Sequence, residues 1–120
     1  MFKGDCGDTL DARHRLEAAS ARQRVVFVPQ PAPLVAGRHF SLDLVVCPQG
    51  GVALPVALQV DADMPAHRHG MNYRPTVRAL GDGRYRVDGL LLHMPGRWRF
   101  LFDISADGRL ERLTREVDVE

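Results

Sequence analysis

Between Gln23 and Glu120 apolar and polar residues alternate in short runs, each closed by glycine or proline. A period of two puts successive side chains on opposite faces of a strand, so a chain patterned this way builds its core from sheets. Seven strands follow, at about 24–29, 39–47, 55–62, 76–80, 84–91, 97–104 and 110–119. Phe40, Leu42, Leu44 and Val46 share one face of the second. Trp98, Phe100, Phe102 and Ile104 share one face of the sixth, and Leu113, Val117 and Val119 face inward on the seventh. Gly81-Asp82-Gly83 and Asp107-Gly108 are hairpin turns. The prolines at 29, 31 and 33 remove backbone donors and end the first strand. Seven short strands at this spacing predict an all-β, immunoglobulin-like Greek-key sandwich, with a small Greek-key barrel as the alternative.

Residues 1–22 break the pattern. Asp8 or Thr9 is placed to cap a short helix through Ala19, built on Leu10, Ala12, Leu16, Glu17, Ala18 and Ala19. The segment is expected to be helical or flexible, leaving 23–120 as the folded domain. At 120 residues one domain is the default.

Charge removes some functions. Sixteen basic residues, all but Lys3 arginine, are interspersed with fifteen acidic ones, for a net charge of +1. Arg84, Arg86, Arg97 and Arg99 alternate with strand-like apolar residues, the pattern of a solvated sheet face rather than a clustered nucleic-acid surface. No apolar run approaches the roughly 18 residues needed to cross a bilayer. Cys6 and Cys47 form no CxxC pair, so neither a zinc ribbon nor a thioredoxin-type site is indicated. They are either two free thiols or one disulfide, and a bridge would imply an oxidising compartment. The opening Met1-Phe2-Lys3 lacks an apolar signal region, so an export signal or membrane anchor is expected to have been cut away.

The chemistry is concentrated in two places. Apart from Met1 the chain has three methionines and five histidines. Six of these eight lie in MPAHRHGM, positions 64–71, and HM, positions 93–94. Even scatter would leave fewer than one there, and core methionines have no preference for histidine neighbours. In a seven-strand sandwich labelled A to G, the C–D and E–F connections emerge at the same end. Met64, His67, His69 and Met71 fall on the first, His93 and Met94 on the second. An extended backbone through His67 and His69 would turn both rings to one side. Thioether sulfur is soft and favours Cu(I), while imidazole accepts Cu(I), Cu(II) or Zn(II). Structural zinc rarely uses thioethers. A blue-copper centre needs a thiolate, and Cys47 lies at the opposite B–C corner. Pro65, Gly70 and Gly96 shape the loops, Gly96 by supplying a positive φ.

Each group has a plainer role to set beside this one. Met64 and Met94 fit equally as plugs for the open end of the core. Met71 and His93 are each free to point away from the site. His14 and His39 read as solvated, and Trp98 as core. Asp61 and Asp63 are either strand-end carboxylates or partners orienting a histidine through its second nitrogen.

The stretch DADMPAHRHGMNYRPTVRALGDGRYRVDGLLLHMPGRWRF resembles the YtkA-like domain family, related to the FixH-like proteins, through MPxHxHGM, GDGxYxVxG and MPGxW. The likeness is close over about 56–104. It implies an immunoglobulin-like β-sandwich, exported or membrane-tethered and associated with copper handling, with Met64, His67, His69 and Met94 at the ligand positions. The expectation is a periplasmic copper-binding protein and not an enzyme. It would act as chaperone or reservoir, holding Cu(I) or Cu(II) for a cuproenzyme or respiratory-complex partner. One rival is a metal-free interaction module docking through the same loops, with Met71 and Tyr73 as anchors. Another is a zinc hydrolase at His67 and His69, drawing on Asp61 or Asp63.

Overall fold

The alternating segments close into two antiparallel sheets. A computed structural model describes residues 6–120 and places the following strands. β1 is Leu16–Ala19, β2 Gln23–Gln30, β3 His39–Pro48, β4 Ala57–Met64 and β5 His69–Gly70. β6 is Thr76–Gly81, β7 Arg84–Leu91, β8 Gly96–Ala106 and β9 Arg109–Val119. One sheet runs β1-β2-β3-β7-β6 and the other β5-β4-β8-β9. The seven strands expected from the alternation are all present, with ends shifted by a residue or two. Asp82 and Asp107 take the left-handed conformation at φ 55° and 51°, with glycine following, as two-residue hairpin loops require.

The N-terminal helix is not formed: among the described residues there is no helix, and Leu16–Ala19 is a strand against β2. Helix propensity is a weak prior that tertiary context overrides. Here Ala18 is buried in the core, and Glu17 pairs with Arg24 across the outer face. An isolated helix of this length would bury less and is marginal in water.

The core lies between the sheets. Phe27 packs against Phe100 and Phe102 at 5.3 and 4.9 Å between centroids, and Phe40 reaches Phe100 at 6.3 Å. Burying each such side chain contributes about 1.5–3 kcal/mol. Inward residues are those the alternation selects, including Leu42, Leu44, Val46 and Ile104. Met64 closes this core at the end of β4, 1% exposed.

Both the β3–β4 connection and the hairpins at 81–83 and 107–108 lie at one end of the sandwich. At that end Cys6 is bonded to Cys47, with 6.1 Å between Cα atoms. The bond draws the segment after Cys6 over the outer face of the larger sheet. There Leu10 packs on Val26, Val45 and Cys47. Gly7 sits so close that a Cβ would lie 2.7 Å from a Val26 methyl. The bridged cysteines are 41 positions apart. Closing a loop of that size removes about 4 kcal/mol of unfolded-chain entropy. Two changes follow from this arrangement. Cys6→Ser with Cys47→Ser is expected to lower unfolding free energy by about 4 kcal/mol in urea titration, with no cost indicating a dispensable bridge. Met64→Ala is expected to cost about 2–5 kcal/mol in the same assay, as loss of a filled core position; a cost near zero would place Met64 outside the core.

Candidate metal centre

The other end of the sandwich carries the histidines. β4 and β6 are joined there through residues 65–75, β7 and β8 through 92–95, and β2 and β3 through 31–38. A backbone bond ties the last two together: Gly37 N–H donates to Leu92 C=O at 2.8 Å. The two segments singled out in the sequence meet at this end, where the rings of His69 and His93 lie 6.1 Å apart.

The 64–71 segment is a tight turn rather than an extended loop. The His67 N–H donates to Met64 C=O at 3.1 Å, and Arg68 adopts φ 55°. His69 then pairs with Met64, and Met71 N–H donates to Ala62 C=O, so the chain folds back along β4. Unpaired backbone at the end of β4 offers donors and acceptors that a turn satisfies and an extended loop would leave to water. The rings of His67 and His69 nevertheless end up neighbours, 6.2 Å apart and tilted by 30°. His69 faces His93 at 6.1 Å. His93 in turn stands edge-on to Trp98 at 5.4 Å. The result is a ladder of three imidazoles ending on a buried indole.

His67 and His69 are exposed, while His93, Met71 and Met94 are half-buried. Trp98 is fully buried, and its indole N–H donates to Met94 C=O at 2.9 Å, which sets the backbone of the β7–β8 turn. The His93 Nδ1 is buried with no hydrogen-bond partner among the described residues. Met64 lies beneath the turn with its Cε where a Gly96 side chain would be, 2.7 Å from that Cβ position. Gly96 has φ 135°, a conformation L side chains rarely adopt, so glycine is required there for both reasons.

Neither carboxylate suggested for orienting a histidine does so. Asp63 grips Arg99 through two hydrogen bonds, at 3.0 and 2.8 Å, on the outer sheet face. That pairing also raises the pKa of Arg99 above its ordinary value. Asp61 accepts from the N–H of Ala62. Alternation puts both outward, away from the turn. His39 is exposed, as expected, but belongs to the same rim: its ring lies 5.5 Å from Tyr73. Its position at the start of a strand entering from this end was the signal for that placement. His14 is exposed and bonded to Asp11 at 3.0 Å.

Among the described residues no three His, Cys, Asp or Glu side chains are grouped tightly enough to hold an ion without moving. An imidazole nitrogen bound at about 2.0–2.1 Å puts its ring centre roughly 3.2 Å from the ion. Two rings on opposite sides of one ion are then about 6.4 Å apart, and three in a trigonal arrangement about 5.5 Å. The observed spacings of 6.2 and 6.1 Å lie between these values. His67 and His69 are exposed and free to change rotamer, while His93 is half-buried.

No family model matches the chain, and no curated protein matches it. Among solved structures it is similar to a DUF4426 family protein from Pseudomonas aeruginosa PAO1, with a TM-score of 0.56 and 11% identity over 92% of this chain and 99% of that one. At this identity the likeness concerns the fold: a small β-rich architecture shared over nearly the full length of both chains.

Proposed function

We propose that this protein binds copper at the histidine rim and serves as a periplasmic copper chaperone or reservoir for a cuproenzyme or respiratory complex. The observation that carries the reading is the run His67–His69–His93 at spacings of 6.2 and 6.1 Å, on loops that also hold Met71 and Met94. Imidazoles serve either copper oxidation state, and thioethers add the softness Cu(I) prefers. The unpartnered Nδ1 of His93 lies at the inner end of this run, where a rotation of the ring would offer it to an ion. Met64 forms the floor and reaches the cation only by leaving the core. An exposed, turn-borne set of donors suits exchange with a partner better than permanent enclosure.

Two further features support the setting. The Cys6–Cys47 bond is characteristic of exported proteins. The strand order β2-β3-β7-β6 over β4-β8-β9 corresponds to the A-B-E-D and C-F-G sheets of an immunoglobulin-like sandwich. We read the chain as a YtkA-like variant of that fold, with MPAHRHGM at the β4–β5 turn and MPGRW at the β7–β8 turn.

The test is titration of the metal-free protein with Cu(II), and with Cu(I) under reductant, read by the fluorescence of Trp98, the one tryptophan in the chain. Contact of His93 with Trp98 predicts saturable quenching by Cu(II). His67→Ala with His69→Ala is expected to weaken binding at least tenfold, since outer-shell changes alone cost about 10–100-fold. Unchanged affinity in that variant overturns the site. Absence of uptake in either oxidation state would favour a metal-free docking module anchored by Met71 and Tyr73.

A further inference from the structure

The two sheets do not end together on the flank formed by β4 and β6. Val77 and Ala79 of β6 pair with Val87 and Tyr85, which face the core, and cross-strand partners share a face. Val77 and Ala79 therefore lie on the inner face of the larger sheet, yet Val77 is only half-buried and Ala79 is exposed. Among the described residues the smaller sheet continues past β4 only as the two residues of β5.

β4 is unpaired along the same stretch. Its register with β8 runs unbroken from Ala57 to Asp63, while β5 meets only Asp63 and Met64 on its other side. The Ala62 C=O accepts from Met71 N–H at 3.2 Å, and the Ala62 N–H donates to Asp61 Oδ1 at 2.8 Å. Ala62 thus directs its backbone groups away from β8. These groups alternate sides along an antiparallel strand, so Leu58 and Val60 direct theirs the same way. Among the described residues nothing bonds them there. They open onto a groove also lined by Asp61, Tyr73, Arg74 and Val77. Val56, just before β4, and Leu80, near the end of β6, are 87% and 48% exposed on this flank. The arrangement is a vacant strand position, with hydrogen-bonding groups on one side and an uncovered apolar face beneath.

We propose that an extended segment of a partner protein adds to β4 here, continuing the line of β5. It turns apolar residues inward over Val77 and Ala79 and sets one basic residue opposite Asp61. Backbone groups spaced along a sheet edge are matched by the backbone of another strand, and alternate side chains supply the specificity. The chain's own β5 fills the same line for two residues. Charge fixes the outer side of the added strand. Asp103 is held by Arg112 through bonds of 2.7 and 2.9 Å, whereas Asp61 accepts only from Ala62 and has no ion pair among the described residues. A cation directly across from it gains a pair that the protein itself does not supply. Arg74 lines the groove from the 71–75 segment, so the complement is a single basic residue rather than a basic run. A second copy offering its own β4 fits less well. Antiparallel pairing about a two-fold axis puts both larger sheets on one side, where the two projecting β6 strands collide; a lone strand meets no such obstacle.

The experiment titrates the isotope-labelled, metal-free protein with the peptide acetyl-Lys-Val-Thr-Val-Thr-amide, following backbone amide shifts and hydrogen exchange. Paired antiparallel, its lysine faces Asp61 and its valines face Val60 and Leu58. Shifts at 57–61 and 76–80 are expected, with slower exchange at the Leu58 and Val60 amides. N-methylation of both valines removes the donors that meet β4 and is expected to abolish binding, whereas N-methylation of the threonines leaves it intact. D61N is expected to weaken binding by up to about fivefold. A79R, at an exposed position that the fold does not fill, is expected to block the groove and abolish binding. Absence of binding, shifts along β1 or β9 instead, or indifference to valine methylation would each overturn the proposal. So would slowed exchange at Leu58 and Val60 that grows with protein concentration without peptide, which would make a second copy the occupant. None of these readouts involves copper, so the outcome is independent of the function proposed above.

Discussion

The hydrogen bond from the Trp98 indole to the Met94 carbonyl is the contact on which the candidate site depends. A buried tryptophan N–H needs a partner, and the partner here is the backbone of the turn that carries His93 and Met94. The same indole supplies the face against which His93 stands. The largest core residue thus holds in place the least exposed histidine of the rim. From there the ladder steps outward to His69 and His67, whose turn is anchored by the carbonyls of Met64 and Ala62. Burial decreases from the core to the tip.

That gradient suits the exchangeable binding proposed above. Donors fixed on all sides would retain an ion, whereas two exposed imidazoles on a short turn can change partners while an inner one keeps its place. The two ends of the sandwich divide the remaining work. One end is stapled by the Cys6–Cys47 bond and closed by glycine hairpins. The other carries the imidazoles and the thioethers.

Much of the fold was legible because alternation encodes which face is buried. Phe40, Leu42 and Leu44, and likewise Trp98, Phe100 and Phe102, occupy the core as the period of two requires. Leu16–Ala19 was not legible. Its composition favours a helix, and only pairing with β2 makes it a strand, a long-range term that local residues do not record. β5, two residues long, exists because β4 presents unpaired backbone. At the rim, the convergence of 64–71 with 93–94 followed from topology. The depth of each side chain did not: Met64 belongs to the core, Asp63 belongs to Arg99, and His39 joins Tyr73 at the rim. Such pairings depend on neighbours across the sheet, which spacing along the chain does not specify.

Copper X-ray absorption on the loaded protein tests the central claim most directly, because it reads the donors themselves. Imidazole nitrogens near 2.0 Å are predicted in both oxidation states, with sulfur near 2.3 Å joining them for Cu(I). A spectrum of light scatterers without imidazole, or with imidazole but no sulfur in either state, would contradict the account.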